Sequence, residues 1–369
     1  MIHYLYIENF KSLRSVGLPL SQLNLYFGMN GMGKSSVLQA LMLIRQSFWE
    51  NGGKNLDVLH SNGSLLKLGT AKDIFCQSAL SDKMRICLKY SDQIVYDCKF
   101  QYDDYASDVD FLNRIESEGA MGDYSESLFT GGFSYLGAEH VGPQRQYSTE
   151  NWKQNRLNYF GSKGEYVVPF LAEQGETYRV PDSMCHDAGK TNKLKDQVSA
   201  WVSEMSPGIR ISAELEPFLE KARLLIGYEG ERLTSDAFSP VNVGFGIPYV
   251  IPLVVVLLTC RKDQLVLIEN PESHLHPKGQ TIMARLIALA AENGSQILCE
   301  SHSDHIINGI RVAIKKKYIT SDKTQIAYFN KNSDQDTEVT LINVDQNGNL
   351  SEYPEGLLDE WGNLMAELL

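Results

Sequence analysis

The stretch GMNGMGKS at residues 28–35 decides how the chain is read. It satisfies the spacing G-x-x-x-x-G-K-[ST] without a gap. The glycines let successive backbone N–H groups turn inward around phosphate oxygens, and a helix starting at the loop adds its positive dipole end. In such a loop Lys34 reaches the β- and γ-phosphates and the Ser35 hydroxyl binds Mg²⁺. Asn30, Gly31, Gly33 and Ser36 complete the expected nucleotide-contacting set.

A phosphate loop needs a strand before it and a helix after it. Leu23–Phe27 reads as a short strand. Ser35–Phe48 carries Val37, Leu38, Leu41, Ile44 and Phe48 at helical spacing. Upstream, Ile2–Ile7 alternates and reads as another strand, followed by the polar stretch NFKSLRSVGLPL. Downstream, residues 60–135 hold β-like stretches such as Met84–Tyr90 and Gln93–Phe100, expected as an antiparallel sheet. Residues 103–130 are acidic and rich in Ser and Gly, the composition of a mobile loop. Helical patterns follow at Leu194–Glu204 and Glu214–Leu225. No sustained heptads appear, which argues against long coiled-coil arms.

A second α/β half is legible from residue 240 on. The apolar run Ile247–Cys260 reads as a buried helix, since it contains two prolines and is short for a bilayer span. Strand Leu265–Ile268, a helix near Lys278–Glu292, strand Gln296–Cys299 and a helix near Asp304–Lys316 come next. The tail reads as a hairpin, Thr324–Asn330 with Glu338–Val344.

Two spots here carry chemistry. LVLIENPESHLHP at 265–277 is an apolar strand ending in Glu269, an acid placed to hold Mg²⁺ through water, with Glu272 three residues on. ILCESHSDH at 297–305 ends a strand and puts His302 in a polar turn before a helix, where an imidazole contacts a γ-phosphate. The competing reading is a capping turn on Ser301 or Ser303. His274, His276 and His302 with Glu272 lack tetrahedral zinc spacing.

Composition narrows the partners. The chain has 369 residues, 43% of them hydrophobic, and a net charge of −12. That excludes pervasive disorder and general polyphosphate binding, so any nucleic-acid contact must come from a local basic patch or a partner. Six scattered cysteines form no C-x-x-C pair, as expected of reduced thiols in a cytosol. The N-terminus has no leader pattern. A soluble cytoplasmic chain with no membrane association is expected.

The order strand–NFKS, GMNGMGKSS, SPVNVGFGIPYVIPLVVVL, LVLIENPESHLHP, ESHSDHIINGIR resembles an ABC-type ATPase head of the RecF, structural-maintenance-of-chromosomes (SMC) and OLD group, also termed AAA family ATPases. AEHVGPQRQ at 138–146 resembles an interior segment of these heads. DQNGNLSEYPEGLLDEW resembles a C-terminal domain of unknown function that accompanies some of them. The resemblance implies an α/β fold, a two-lobed P-loop head with a mixed β-sheet, an antiparallel β subdomain and a helical insertion. On this chain it implies an N-terminal lobe at 1–150, a mainly helical insertion at 151–235, a C-terminal lobe at 236–330, and a hairpin and helix at 331–369. It also implies two heads sandwiching two ATPs with Mg²⁺, in a homodimer or higher oligomer. The signature segment would be Asn242–Gly246, with Asn242, Gly244 and Gly246 capping the γ-phosphate in trans.

One departure matters. Many members read Asp-Glu-Pro-Glu where this chain reads Glu269-Asn270-Pro271-Glu272. Glu269 can replace the Mg²⁺-associated acid, but the Asn270 amide cannot take a proton from water. Either Glu272 is the base, or hydrolysis is slow and ATP acts mainly as a clamp. Gln77 and Gln144 both stand as candidates for the glutamine that joins Mg²⁺ to the second lobe. The first functional expectation is an ATP-driven switch controlling a separate effector, a nuclease or toxin encoded nearby, as in bacterial antiphage defence; this placement is analogy. The alternative is a DNA-binding repair or recombination ATPase, for which Arg311–Lys317 (RVAIKKK) offers a basic stretch. An intrinsic nuclease is disfavoured, because only 39 residues follow Asn330.

Overall fold

The computed structural model describes the chain apart from residues 91–94, 105–107, 119–123, 151, 156, 231–234, 245 and 369, and apart from the side chains of 116–118, 154 and 360–363. It divides into two compact units: Met1–Phe133 with Asp322–Asp345 and Asn349–Leu369, and Ser134–Ser321 with Gln346–Gly348.

The first unit opens with β1 (Tyr4–Phe10), β2 (Leu13–Pro19) and β3 (Leu23–Phe27). The stretch after Ile7, expected to be merely polar, is the turn and second strand of a hairpin. β2 pairs antiparallel with β1, from Tyr4↔Pro19 to Phe10↔Leu13. Leu13, Val16 and Leu18 go inward while Ser15, Gly17 and Pro19 face solvent, as in a strand with one wetted face. β3, buried throughout, leads into the glycine loop and α1 (Lys34–Glu50). β4 (Val58–His60), α2 (Ala71–Ile74), β5 (Lys83–Lys89), β6 (Val95–Gln101) and β7 (Phe111–Glu118) follow. These strands make an antiparallel sheet in the order β2-β1-β5-β6-β7-β4. β7 therefore occupies part of the stretch expected as a mobile loop; 105–107 and 119–123 lie outside the described residues. Inside this unit Arg45 of α1 is fully buried. Its guanidinium donates to the Leu128 carbonyl at 2.5 Å and lies 4.3 Å from the Phe133 ring centre. Burial lowers its pKa to about 9.

The second unit runs through β8 (Phe133–Leu136), β9 (Tyr147–Ser148), α3 (Val167–Gln174), α4 (Leu194–Met205), β10 (Ile209–Glu216), β11 (Lys221–Tyr228), α5 (Gly246–Thr259), β12 (Leu265–Glu269), α6 (Pro277–Glu292), β13 (Gln296–Glu300) and α7 (Asp304–Lys315). The helix expected over Glu214–Leu225 is instead the β10–β11 hairpin, paired in full from Ile209↔Tyr228 to Glu216↔Lys221. α5 is apolar on every side and buried almost throughout, including Pro252, as a core helix should be. β12 and β13 are parallel, from Leu265↔Gln296 to Glu269↔Glu300. Their nearly continuous apolar runs are buried on both faces.

The chain then returns to the first unit through β14 (Thr324–Lys331), β15 (Thr337–Ile342) and α8 (Glu360–Leu368). β14 runs parallel to β3, with Ile326 opposite Leu25 and Tyr328 opposite Phe27, and pairs antiparallel with β15. The tail hairpin thus flanks the strand that delivers the glycine loop. Among the described residues no helix is long and apolar enough to cross a membrane.

Candidate functional site

The glycine loop is built by backbone requirements. Gly28, Gly31 and Gly33 have φ of 134°, 78° and 100°, a region that side chains disfavour. A Cβ on Gly28 would lie 2.2 Å from the Phe329 carbonyl oxygen of β14, and one on Gly33 2.7 Å from Thr337 Oγ1. Gly31 has open space around it. Thr337, at the start of β15, holds the loop in place. Its Oγ1 hydrogen-bonds to the Met32 carbonyl and to Ser12 Oγ, both at 3.0 Å. The neighbouring Asp336 pairs with Arg14 at 2.9 Å and accepts from Ser78 Oγ at 2.5 Å.

Lys34 is 2% exposed, and its ammonium donates to the Gly28 and Met29 carbonyls, each at 2.7 Å. α1 begins here with no side-chain cap and no acidic residue in its first turn. A helix start with that polarity, a buried ammonium and open glycine backbone fit a polyphosphate. Asn30 and Gly31 are exposed; Ser35 and Ser36 are half-buried on the first turn, where the Ser35 hydroxyl suits a hard cation. Gln77 lines a cavity of about 570 Å³ with Lys11, Ser12, Lys331 and Asp336.

In the second unit the ends of β12 and β13 bring the acidic candidates together. Glu269 accepts from Tyr135 Oη and from the Ala138 N–H, each at 3.2 Å. Burial raises its pKa and these two donors oppose the shift; a carboxylate in that state suits a divalent cation. Asn270 takes a positive φ of 49° and donates its N–H to the Glu300 carbonyl at 2.9 Å. Its Oδ1 is buried with no hydrogen-bond partner among the described residues. Glu272 is tied to the histidine turn: Ser301 Oγ donates to it at 2.7 Å and the His302 N–H at 2.8 Å. Ser303 caps α7 by accepting from His305 N and Ile306 N. Capping and the placing of His302 are therefore done by different residues of one turn. His276 caps α6.

The proposed signature is exposed at Asn242 and Gly244, while Phe245 lies outside the described residues. Gly246 opens α5, and a Cβ there would meet the His274 carbonyl at 2.5 Å. Gln144 is exposed, its N–H on the Tyr147 hydroxyl. Sequence reasoning did not single out Tyr135, Thr337 or Glu300. Glu300 is 5% exposed, and its carboxylate lies 3.9 Å from His302 Nε2. Its only signal was an acid closing the apolar run Ile297–Cys299.

Residues 1–163 match the AAA ATPase domain family. Residues 170–308 match the AAA domain family named for the AbiEii toxin of a type IV toxin–antitoxin system. Residues 319–368 match DUF3696, a protein family of unknown function. Two ATPase-domain models thus match successive parts of the chain, one on each side of residues 164–169. The chain's fold is that of the ABC-type heads of the SMC group, as the sequence resemblance implied. An SMC head bound to the C-terminal winged-helix domain of ScpA is similar with a TM-score of 0.53 and 13% identity, over 94% of this chain and 98% of that one. The SMC head with an extended coiled coil bound to the C-terminal domain of ScpA, from Pyrococcus furiosus, is similar with a TM-score of 0.52 and 13% identity, over 100% and 99%. None of the curated proteins is a sequence match.

Proposed function

We propose that the chain is an ATP-gated switch. It binds ATP on the 28–35 loop, dimerises around the nucleotide, and hands the closed or open state to a partner effector in an antiphage defence system. The observation that carries the reading is the loop itself: positive-φ glycines, the buried Lys34 ammonium and a helix start with no side-chain cap. In this reading Lys34 binds the β- and γ-phosphates, Ser35 and Glu269 serve Mg²⁺, and His302 contacts the γ-phosphate. Asn242, Gly244 and Gly246 complete the nucleotide of a second copy. Mg²⁺, when bound, neutralises charge that develops on the phosphates. The toxin–antitoxin name of the family matched by residues 170–308 supports an effector partner.

The test is light-scattering mass with and without Mg·ATP, on wild type and Lys34→Ala. Wild type is expected to gain mass with ATP, and the variant to lose both ATP binding and the mass gain. An unchanged ATP affinity in Lys34→Ala would remove the loop from its role. Duplex DNA in the same measurement separates the RecF-like reading, in which the exposed Lys315–Lys317 at the end of α7 would carry binding.

A further inference from the structure

The β10–β11 hairpin ends in a turn of unusual composition. Residues 217–220 read Pro-Phe-Leu-Glu, where turns ordinarily carry Gly, Asn, Asp or Ser. Phe218 is fully exposed, Leu219 is 60% exposed and Leu215 39%. The hairpin is anchored without them, by the buried Ile209, Ile211, Ala222, Leu224 and Ile226. An exposed phenylalanine between two exposed leucines is the kind of apolar patch that marks an interaction surface. A cavity of about 350 Å³ opens beside the same tip. Trp152, Leu215 and Pro217 give it apolar walls, and Lys153 and Lys221 also line it. Lys153 lies 5.4 Å from the Trp152 ring centre and is paired with Glu173, which leaves Lys221 to meet an incoming acid. The Phe218 ring stays outside this cavity, although Pro217 just before it forms part of the wall. Knob and hole therefore stand side by side, and every residue of the patch belongs to the second unit.

We infer that the hairpin tip is a contact between two copies of this chain, exchanged about a two-fold axis. Phe218 of each copy enters the Trp152-walled cavity of the other. A two-fold contact requires one patch to carry both a shape and its complement, and this patch carries both. The charges agree with the shapes. The knob ends in the exposed Glu220 and the hole is lined by Lys221, so the acid of each copy meets the cation of the other. A buried aromatic anchor supplies most of the binding energy in such a contact. Two insertions of this size are small beside the about 1,200–2,000 Å² of a stable interface, so the association is reversible and depends on concentration. It uses no residue of the nucleotide loop, and it stands or falls independently of the ATP reading.

The experiment is sedimentation velocity on the full chain without nucleotide, over a concentration series. The proteins are wild type, Phe218→Ser, Glu220→Lys, Lys221→Glu and the double variant carrying both charge swaps. Wild type is expected to pass from monomer to dimer as concentration rises. Phe218→Ser should weaken the dimer about 10²-fold, about tenfold for each of the two anchors lost. Each single charge swap should weaken it about tenfold, since two rim ion pairs are lost at once. The double variant should recover the wild-type dimer, which general damage to the tip would not allow. Phe218 and Glu220 are solvated, so their variants are expected to keep the wild-type thermal midpoint. A nucleotide-free wild type that stays monomeric throughout the series would overturn the inference and leave the tip to a different protein. Wild-type association in Phe218→Ser would overturn it too, as would a double variant no better than the single swaps. A dimer that forms only with Mg·ATP and is indifferent to Phe218→Ser would overturn this contact and leave the ATP reading standing.

Discussion

Replacing Thr337 by Val keeps the branched shape and deletes one oxygen. That oxygen touches the Met32 carbonyl and Ser12 Oγ, both at 3.0 Å, in a residue 6% exposed. The backbone bond from the Thr337 N–H to the Ser12 carbonyl, 3.2 Å, is unaffected. Each lost hydrogen bond is worth about 0.5–1.5 kcal/mol, and the groups left behind are shielded from water, so a loss of about 2 kcal/mol is expected. Part of it falls on the loop, whose held shape is the one a nucleotide would meet. If about 1.4 kcal/mol acts there, ATP affinity drops about tenfold. Urea unfolding and titration with a fluorescent ATP analogue read the two effects. Thr337→Ser retains the hydroxyl and should keep most of both. Wild-type stability and affinity in Thr337→Val would refute the reasoning, as would equal impairment in Thr337→Ser.

Gly28→Ala forces a Cβ to 2.2 Å from a backbone oxygen at a φ of 134°; a loss of more than about 3 kcal/mol in urea unfolding is expected, and a wild-type midpoint would contradict the backbone argument. Asn270→Gly keeps a positive φ at no steric cost, so stability within about 1 kcal/mol of wild type and unchanged ATP turnover are expected; a collapse in turnover would give the amide a chemical role. Burial lowers the pKa of His140, whose Nδ1 is 2.8 Å from the Tyr249 carbonyl and whose Nε2 has no partner among the described residues. The unfolded chain therefore binds a proton that the native chain resists. Stability should fall as pH drops below the ordinary imidazole value of about 6.5, and His140→Gln should flatten that fall in pH-dependent thermal unfolding.

What could be read in advance followed from periodicity backed by burial. β3, the loop and α1 were legible because a short apolar strand, glycines and a 3.6-residue stripe follow one another. β12, β13, α6 and α7 were legible for the same reason. The hairpin β10–β11 was not. Leu215, Phe218, Leu219 and Ala222 imitate helical spacing, yet Leu215, Phe218 and Leu219 sit exposed at the hairpin tip. The residues that actually pack are Ala222, Leu224 and Ile226, at period two. β2 was hidden by its wetted face, whose serine, glycine and proline look like a loop. At the candidate site, motif spacing singled out the loop, Glu269, Glu272 and His302 as expectations. It did not reveal that Glu272 spends both oxygens on the turn, because hydrogen-bond partners thirty residues away leave no spacing signal. Thr337 lies 305 residues from the carbonyl it holds, beyond any local pattern.

The first unit is assembled from residues at both extremes of the chain, with the second unit inserted between them. During synthesis the ribosome would therefore deliver GMNGMGKS well before the hairpin that clamps it. The second unit has all but three of its residues by position 321 and can mature while the nucleotide loop still waits. A nascent chain halted at that point would display the complete phosphate-loop motif and lack the strand beside β3 and the threonine that hold it in shape, so nucleotide competence would arrive only once β14 and β15 had been made.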